Sequence, residues 1–130
     1  MSWIRIETRD GVTVFHPGDD LEGSVRWSLD QPPRSLELRL FWYTDGKGER
    51  DVGVVESVPL ADPGAEDNRP FRFRLPAGPY SFSGKIIRLL WALEAVAEPG
   101  DQAGRLEITV SPTGQEISLP AEKPRRMDTQ

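Results

Sequence analysis

The stretch GPYSFSGKIIRLLWALEAVAEPG, residues 78–100, is the most apolar part of the chain, and it reads two ways. Wound as a helix, it puts Ile86, Leu89, Leu90, Leu93 and Ala97 on one stripe, which would suit a membrane surface or a partner's groove. Extended, it points Ile87, Leu89, Trp91, Leu93 and Ala95 to one side and builds the core of a sandwich. Local propensity favours the helix, because Leu, Ala and Glu lose little freedom in one. Context favours the strand. The neighbouring segments are β-like, a lone amphipathic helix would need a sheet face to cover, and Gly84 stands at the entry. As a membrane-surface helix the stretch carries only Lys85 and Arg88 early on, well short of the basic polar face such helices need. A strand here is long and apolar on much of both faces, as at the centre of a sheet.

Around it, turn signals recur: RDG (9–11), HPGDD (16–20), DQPP (30–33), TDGKG (44–48), ADPGAEDNRP (61–70), PAGP (76–79) and EPGDQAG (98–104). Between them the pattern alternates with period two. SLELRLFWY sets Leu36, Leu38, Leu40 and Trp42 on one face and Glu37, Arg39, Phe41 and Tyr43 on the other. FRFRL turns Phe71, Phe73 and Leu75 inward and Arg72 and Arg74 outward; Val25 pairs with Trp27, and Leu106, Ile108 and Val110 share a side. Twelve Gly and twelve Pro in 130 residues agree with frequent turns. The expectation is an all-β sandwich, with one domain over 1–119 and a disordered Pro-bearing tail, PAEKPRRMDTQ, over 120–130.

The chain has no cysteine, and hence no disulfide frame, thiol nucleophile or thiolate metal site. A net charge of -5 argues against non-specific nucleic-acid binding. The N-terminus lacks an apolar signal region and no run is long enough for a bilayer span, so the expected location is cytoplasmic, without membrane insertion.

Two stretches carry a family resemblance. TVFHPGDDLEGSVRW (13–27) resembles the opening hairpin of the arrestin-like family, with Pro17 and Gly18 setting the turn and Leu21, Val25 and Trp27 pointing inward. FRFRLPAGPYSFSGKIIRLLWALEAV (71–96) resembles the same family's strand end, Pro-rich link and following long strand, with Gly84 bending the chain between sheets. The resemblance implies that 84–98 is a sandwich strand and that the whole is an immunoglobulin-like or arrestin-like sandwich of two antiparallel sheets in a single domain. Arrestins, and the retromer subunit similar to them, carry two such sandwiches in tandem. This chain has room for one, which suggests a homodimer restoring the pair. The buried charges and phosphate-sensing lysines of visual-type arrestins have no counterpart here.

The search for chemistry returns little. His16 is the only histidine and sits in a Pro-Gly turn beside Asp19 and Asp20. The carboxylate pairs Asp19/Asp20 and Glu66/Asp67 read as solvated loop charge. DGKGERD (45–51) lacks calcium-loop spacing and reads as a hairpin tip; no phosphate-cradling glycine loop is present. The reading is therefore not an enzyme, with no cofactor. Trp27, Trp42 and Trp91 are in phase with core aliphatics. Phe41 and Tyr43 share a face with charges and form the first candidate binding patch; Tyr80 and Phe82, in the Pro-rich link, form the second. EKPRR (122–126) reads as a solvated tail. The expected function is a protein-binding adaptor or scaffold using sheet edges and end loops, with a protein partner of unknown identity. The alternative is a small-ligand binder, for instance of carbohydrate, stacking on Phe41 and Tyr43.

Overall fold

The ambiguous stretch is extended in a computed structural model that describes residues 2–46, 50–84, 87–100, 102–113 and 117–118. β4 (Ser35–Gly46) and β8 (Ile87–Glu98) are the two longest strands and lie side by side, in antiparallel register from Ser35↔Glu98 to Gly46↔Ile87. Leu89, Trp91, Leu93, Ala95 and Ala97 face the core and are all buried. Leu90 and Ala92, on the other face, are buried as well. That two-sided burial is why this segment lost the clean alternation of its neighbours. The Trp91 indole N–H donates to the Pro79 carbonyl at 2.8 Å, so one of the two fully buried tryptophans also holds down the Pro-rich link.

Two sheets make the sandwich. The smaller has the order β1 (Trp3–Thr8), β3 (Asp20–Ser28), β6 (Glu66–Arg74), all antiparallel. The larger runs β10 (Ile117–Ser118), β7 (Phe82–Ser83), β8, β4, β5 (Val52–Pro59), with β9 (Gln102–Val110) beside β8 and β2 (Val14–Phe15) beside β9. Ile4, Ile6, Leu21, Val25, Trp27 and Phe73 from the small sheet meet Leu36, Leu38, Leu40, Trp91, Leu93 and Ile108 from the large one. Phe71 and Phe73 point in and Arg72 and Arg74 out, as their alternation predicts.

The two lateral sides of the sandwich differ. On one, β1 lies against β9 so closely that a Cβ on Gly104 would stand 2.3 Å from the Ile4 carbonyl oxygen. On the other, the edge strands are β5 and β6. There the Trp27 indole donates to the Gly64 carbonyl at 2.8 Å, and Arg69 donates to the carbonyls of Ala61 and Asp62 at 2.7 and 3.3 Å. These bonds tie the β5–β6 link to the small sheet, and no strand among the described residues pairs with the outer edge of either.

Four expectations need correction. Residues 13–27 are not a hairpin: β2 pairs in parallel with β9, so the Pro17–Gly18 turn carries the chain from the large sheet into β3 of the small one. Gly84 does not sit at a crossing: β7 pairs antiparallel with β8, and the Gly84 N–H donates to the Ile87 carbonyl within one sheet. The chain crosses earlier, through 75–81. The sheets are not purely antiparallel, because the short pairs β2–β9 and β10–β7 are parallel. Trp42 is only half-buried; it packs against the core from the rim, with its ring over Gly53. The tail 120–130, with its EKPRR motif, and Lys85 and Ile86 lie outside the described residues.

Candidate protein-binding edge

β5 has only one neighbour among the described residues, β4, and the hydrogen bonds to β4 decide what its far side offers. Thr44 N–H donates to the Asp51 carbonyl and Leu60 N–H to the Leu36 carbonyl, each at 2.9 Å. Backbone groups in a strand alternate in direction, so Asp51 and Gly53 turn toward β4 while Val52 and Val54 turn their N–H and C=O to the free edge. Counting back from Leu60, Val58 and Glu56 turn inward and Ser57 and Pro59 outward. The parity changes between Gly53 and Glu56, where the register with β4 slips at Leu40/Phe41. Val55 is the extra residue of that β-bulge.

The side chains along this edge are apolar and exposed: Val52 and Val54 at 58% each, Val55 at 38%. Edges of this kind pair readily with another chain, and proteins usually blunt them with proline, charge or a covering segment. β6, the neighbouring edge, is blunted in that way. It carries Pro70, which has no N–H to give, among Glu66, Asp67, Asn68, Arg72 and Arg74. β1 is covered by β9 at Gly104. On β5 the corresponding devices, the bulge at Val55, the charged Glu56 and Pro59, all lie toward its far end, which leaves the span Val52–Val54 unprotected.

The outer face beside β5 is polar at its rim. Phe41 and Tyr43 lie there, their ring centroids 5.9 Å apart. The Arg105 guanidinium from β9 covers both, 5.2 Å from the Phe41 centroid and 4.9 Å from that of Tyr43. The Tyr43 hydroxyl approaches Glu107 at 3.4 Å. The expected exposed aromatic patch is thus capped: Phe41 is 7% exposed, because its strand neighbours Leu90 and Ala92 draw it into the sheet surface under Arg105. Tyr43 is half-buried.

The second candidate pair divides. Tyr80 is exposed at 40%, whereas Phe82 pairs with inward-facing Leu89 and packs on the core. Ser81 anchors the link between them, its N–H donating to the Val110 carbonyl at 2.7 Å and its hydroxyl accepting from the Val110 N–H at 3.0 Å. Phe82 faces the core, and Phe41 and Tyr43 face the opposite side of the sheet, so the four candidates form no common surface. The β5 valines were not singled out by sequence reading. Their signal was available: a β-branched run, VGVVESVP, directly after the hairpin tip and closed by Pro59.

Charge is arranged as surface pairs. The Ser57 hydroxyl, and after it Arg39, hold the Glu37 carboxyl below the usual carboxylate range, so Glu37 links β4 to the far end of β5. Arg88 does the same for Asp45 from 2.8 Å, and Asp45 raises the Arg88 guanidinium in return. At the far corner of the small sheet, Arg72 lowers Asp20 through a 2.7 Å bond. His16 stays a turn residue: its backbone N–H donates to Asp19 Oδ2 at 2.8 Å, and Gly18 takes the positive φ of 85° that the turn requires. Among the described residues no cluster of three or more His, Asp or Glu could hold a metal ion, and no helix is long and apolar enough to cross a membrane.

No family model matches the sequence, and no curated protein matches it. The fold has a known counterpart in Spo0M. Spo0M, the sporulation control protein of Bacillus subtilis, superposes with a TM-score of 0.59 at 21% identity, over 85% of this chain and 50% of its own. The alkylpurine DNA glycosylase AlkC of Pseudomonas fluorescens, solved bound to DNA containing an abasic site analogue, gives 0.44 at 14% identity, over 84% of this chain and 30% of its own. The chain therefore spans about half the length of Spo0M, and at that identity the likeness is one of fold: a two-sheet β-sandwich.

Proposed function

We propose that this chain is a non-enzymatic protein-binding module, an adaptor or scaffold domain, that captures an extended protein segment along the free edge of β5. The observation that carries the reading is the run Val52, Val54 and Val55, exposed side chains on a strand whose outward N–H and C=O groups have no neighbouring strand among the described residues. An added strand gains backbone hydrogen bonds from such an edge and specificity from the side chains beside it. The arrestin-like resemblance agrees with a role in assembly rather than chemistry, and the sandwich fold supports it no further than that. The carbohydrate alternative loses its platform, because Arg105 occupies the ring faces of Phe41 and Tyr43 that a sugar would stack on.

The test is capture of binding proteins from native lysate by three baits. Val54→Pro removes an outward N–H while leaving the bonds to β4, and should abolish capture. Trp3→Ala, on the exposed face of the small sheet, should leave it intact. A partner retained equally by wild type and Val54→Pro would remove β5 as the site.

A further inference from the structure

We infer that the outer face of the small sheet carries a site for an acidic peptide, a segment with carboxylates two residues apart, received by Arg5 of β1 and Arg26 of β3. The site lies on the other sheet from β5 and does not rest on the reading of that edge.

Arg5 and Arg26 stand directly opposite each other in the β1–β3 register, and Asn68 of β6 stands opposite Arg26. All three are exposed, so they form one row across three strands. Side chains opposed in this way have Cβ atoms about 5 Å apart, where two like charges oppose folding rather than assist it. The other arginines of this region are neutralised within the chain: Arg9 by Glu22 at 3.1 Å, Arg72 by Asp20 at 2.7 Å and Arg74 by Asp20 at 3.7 Å. Among the described residues no carboxylate forms an ion pair with Arg5 or Arg26. Glu7 and Glu66 flank the row, opposite Ser24 and Ser28, and Glu66 accepts from the Ser28 hydroxyl at 3.3 Å. Arg5 is steadied by Trp3, whose exposed ring has its centroid 5.2 Å from the guanidinium carbon. Stacking of this kind uses the face of the guanidinium and leaves its in-plane N–H donors free. Arg26 lines an open hollow together with Trp3, Ser28 and Asn68.

The donors select the ligand. Each guanidinium fork matches one carboxylate in a bidentate pair. In an extended segment, residues two apart point the same way and stand about 7 Å from each other, a spacing that two arginines on adjacent strands can meet. A polyanion such as nucleic acid fits less well, because its phosphates would run past the row onto Glu7 and Glu66, on a chain of net charge -5. A carboxylate pair needs only the row.

The probe is a capped Gly-Glu-Ser-Glu-Gly peptide, titrated at low salt into the isotope-labelled chain and followed through the arginine side-chain Nε–H resonances. Those of Arg5 and Arg26 should shift while those of Arg72 and Arg74 stay, and the same peptide with glutamines should shift neither. Arg26→Gln should weaken the peptide about tenfold or more, with the melting temperature retained or raised, since it removes an opposed like charge. Arg26→Lys keeps the charge but not the fork and should recover binding only in part. Equal shifts by the two peptides, shifts centred on Arg72 and Arg74, or no shift at millimolar peptide would overturn the site. Tighter binding of inorganic phosphate or of a short oligonucleotide to the same arginines would overturn the ligand. Val54→Pro should leave the titration unchanged, so failure of this site and failure of the β5 reading are told apart.

Discussion

Gly104→Ala tests the seam that closes one side of the sandwich. A glycine-to-alanine change at an ordinary backbone angle stabilises a protein by about 0.4–1 kcal/mol, because the unfolded chain loses freedom. Gly104 has no positive φ, so without the seam this gain should appear. With it, the new Cβ stands 2.3 Å from the Ile4 carbonyl oxygen, 2.8 Å from its carbon and 3.1 Å from its Cγ2. The first two are backbone atoms, which cannot swing aside. Ordinary contact begins near 3.4 Å, so β1 and β9 must separate by roughly 1 Å, enough to forfeit a sizeable part of the dispersion attraction across the seam. Ile4 and Ile6 ride on β1 into the core beside Leu93 and Ile108, and they would be drawn out with it. Overpacking of this kind costs about 1–3 kcal/mol, which at this chain length lowers the melting temperature by roughly 4–12 °C. Thermal unfolding followed by circular dichroism measures the shift. Urea unfolding with an unchanged slope would place it in the native state. The sign decides: a Gly104→Ala protein as stable as the wild type, or more so, refutes the seam.

Gly53→Ala meets the Trp42 ring instead, at 2.2 Å from Cε2, and a half-exposed side chain can move. The expected loss is under about 1 kcal/mol, with a red shift in tryptophan emission as the ring lifts; an unshifted spectrum would contradict the stacked geometry. Trp91→Phe keeps the apolar bulk but deletes the bond to the Pro79 carbonyl. It should cost about 1–3 kcal/mol, read from the urea midpoint, since the buried acceptor loses its donor. Asp20, Glu37, Asp45 and Asp67 all have folded pKa values held down, chiefly by Arg72, Ser57, Arg88 and the Asn68 N–H respectively. A lowered folded pKa means that the stability these groups contribute is present above the unfolded carboxylate range, near pH 4, and is lost as pH falls through it. The urea midpoint should therefore fall on acidification below pH about 4, and by less in high salt, because the pairs are exposed; a midpoint that rises would contradict the sign.

The strands that alternate were legible because alternation is itself the consequence of one buried face. Phe71, Arg72, Phe73 and Arg74 announce their own sides, and so do Leu36, Leu38 and Leu40. β8 was legible only by context, since burial on both faces removed the pattern that would have marked it. Pairing was not legible where two residues decide it. Phe15 and Val14 read as the first arm of a hairpin, but the Pro17–Gly18 turn sends the chain out of the plane, and β2 finds β9, almost a hundred residues away. Phe41 shows the limit on the functional side. Its phase correctly placed it outside the core, but the arginine that covers it comes from β9, and no local pattern records that contact.

β5 was missed for the opposite reason. A β-bulge breaks period two by inserting Val55, so the segment reads as neither strand nor loop, and its valines look like surface scatter. Single exposed apolar residues need no explanation. These three differ because they sit within four positions on one strand, with outward backbone groups that nothing among the described residues pairs. Two other edges are disposed of: β1 by contact with β9, β6 by Pro70 and a row of charged residues. An apolar edge left open in such a protein is either a liability toward aggregation or a binding surface. The bulge bears on which. It turns the backbone of Glu56 inward, so an added strand can bond from Val52 to Val54 but cannot run in register through Glu56. Open-ended stacking of edges needs a long, regular template, and β5 gives a short one, closed by Pro59. That geometry limits what can pair there to one short strand.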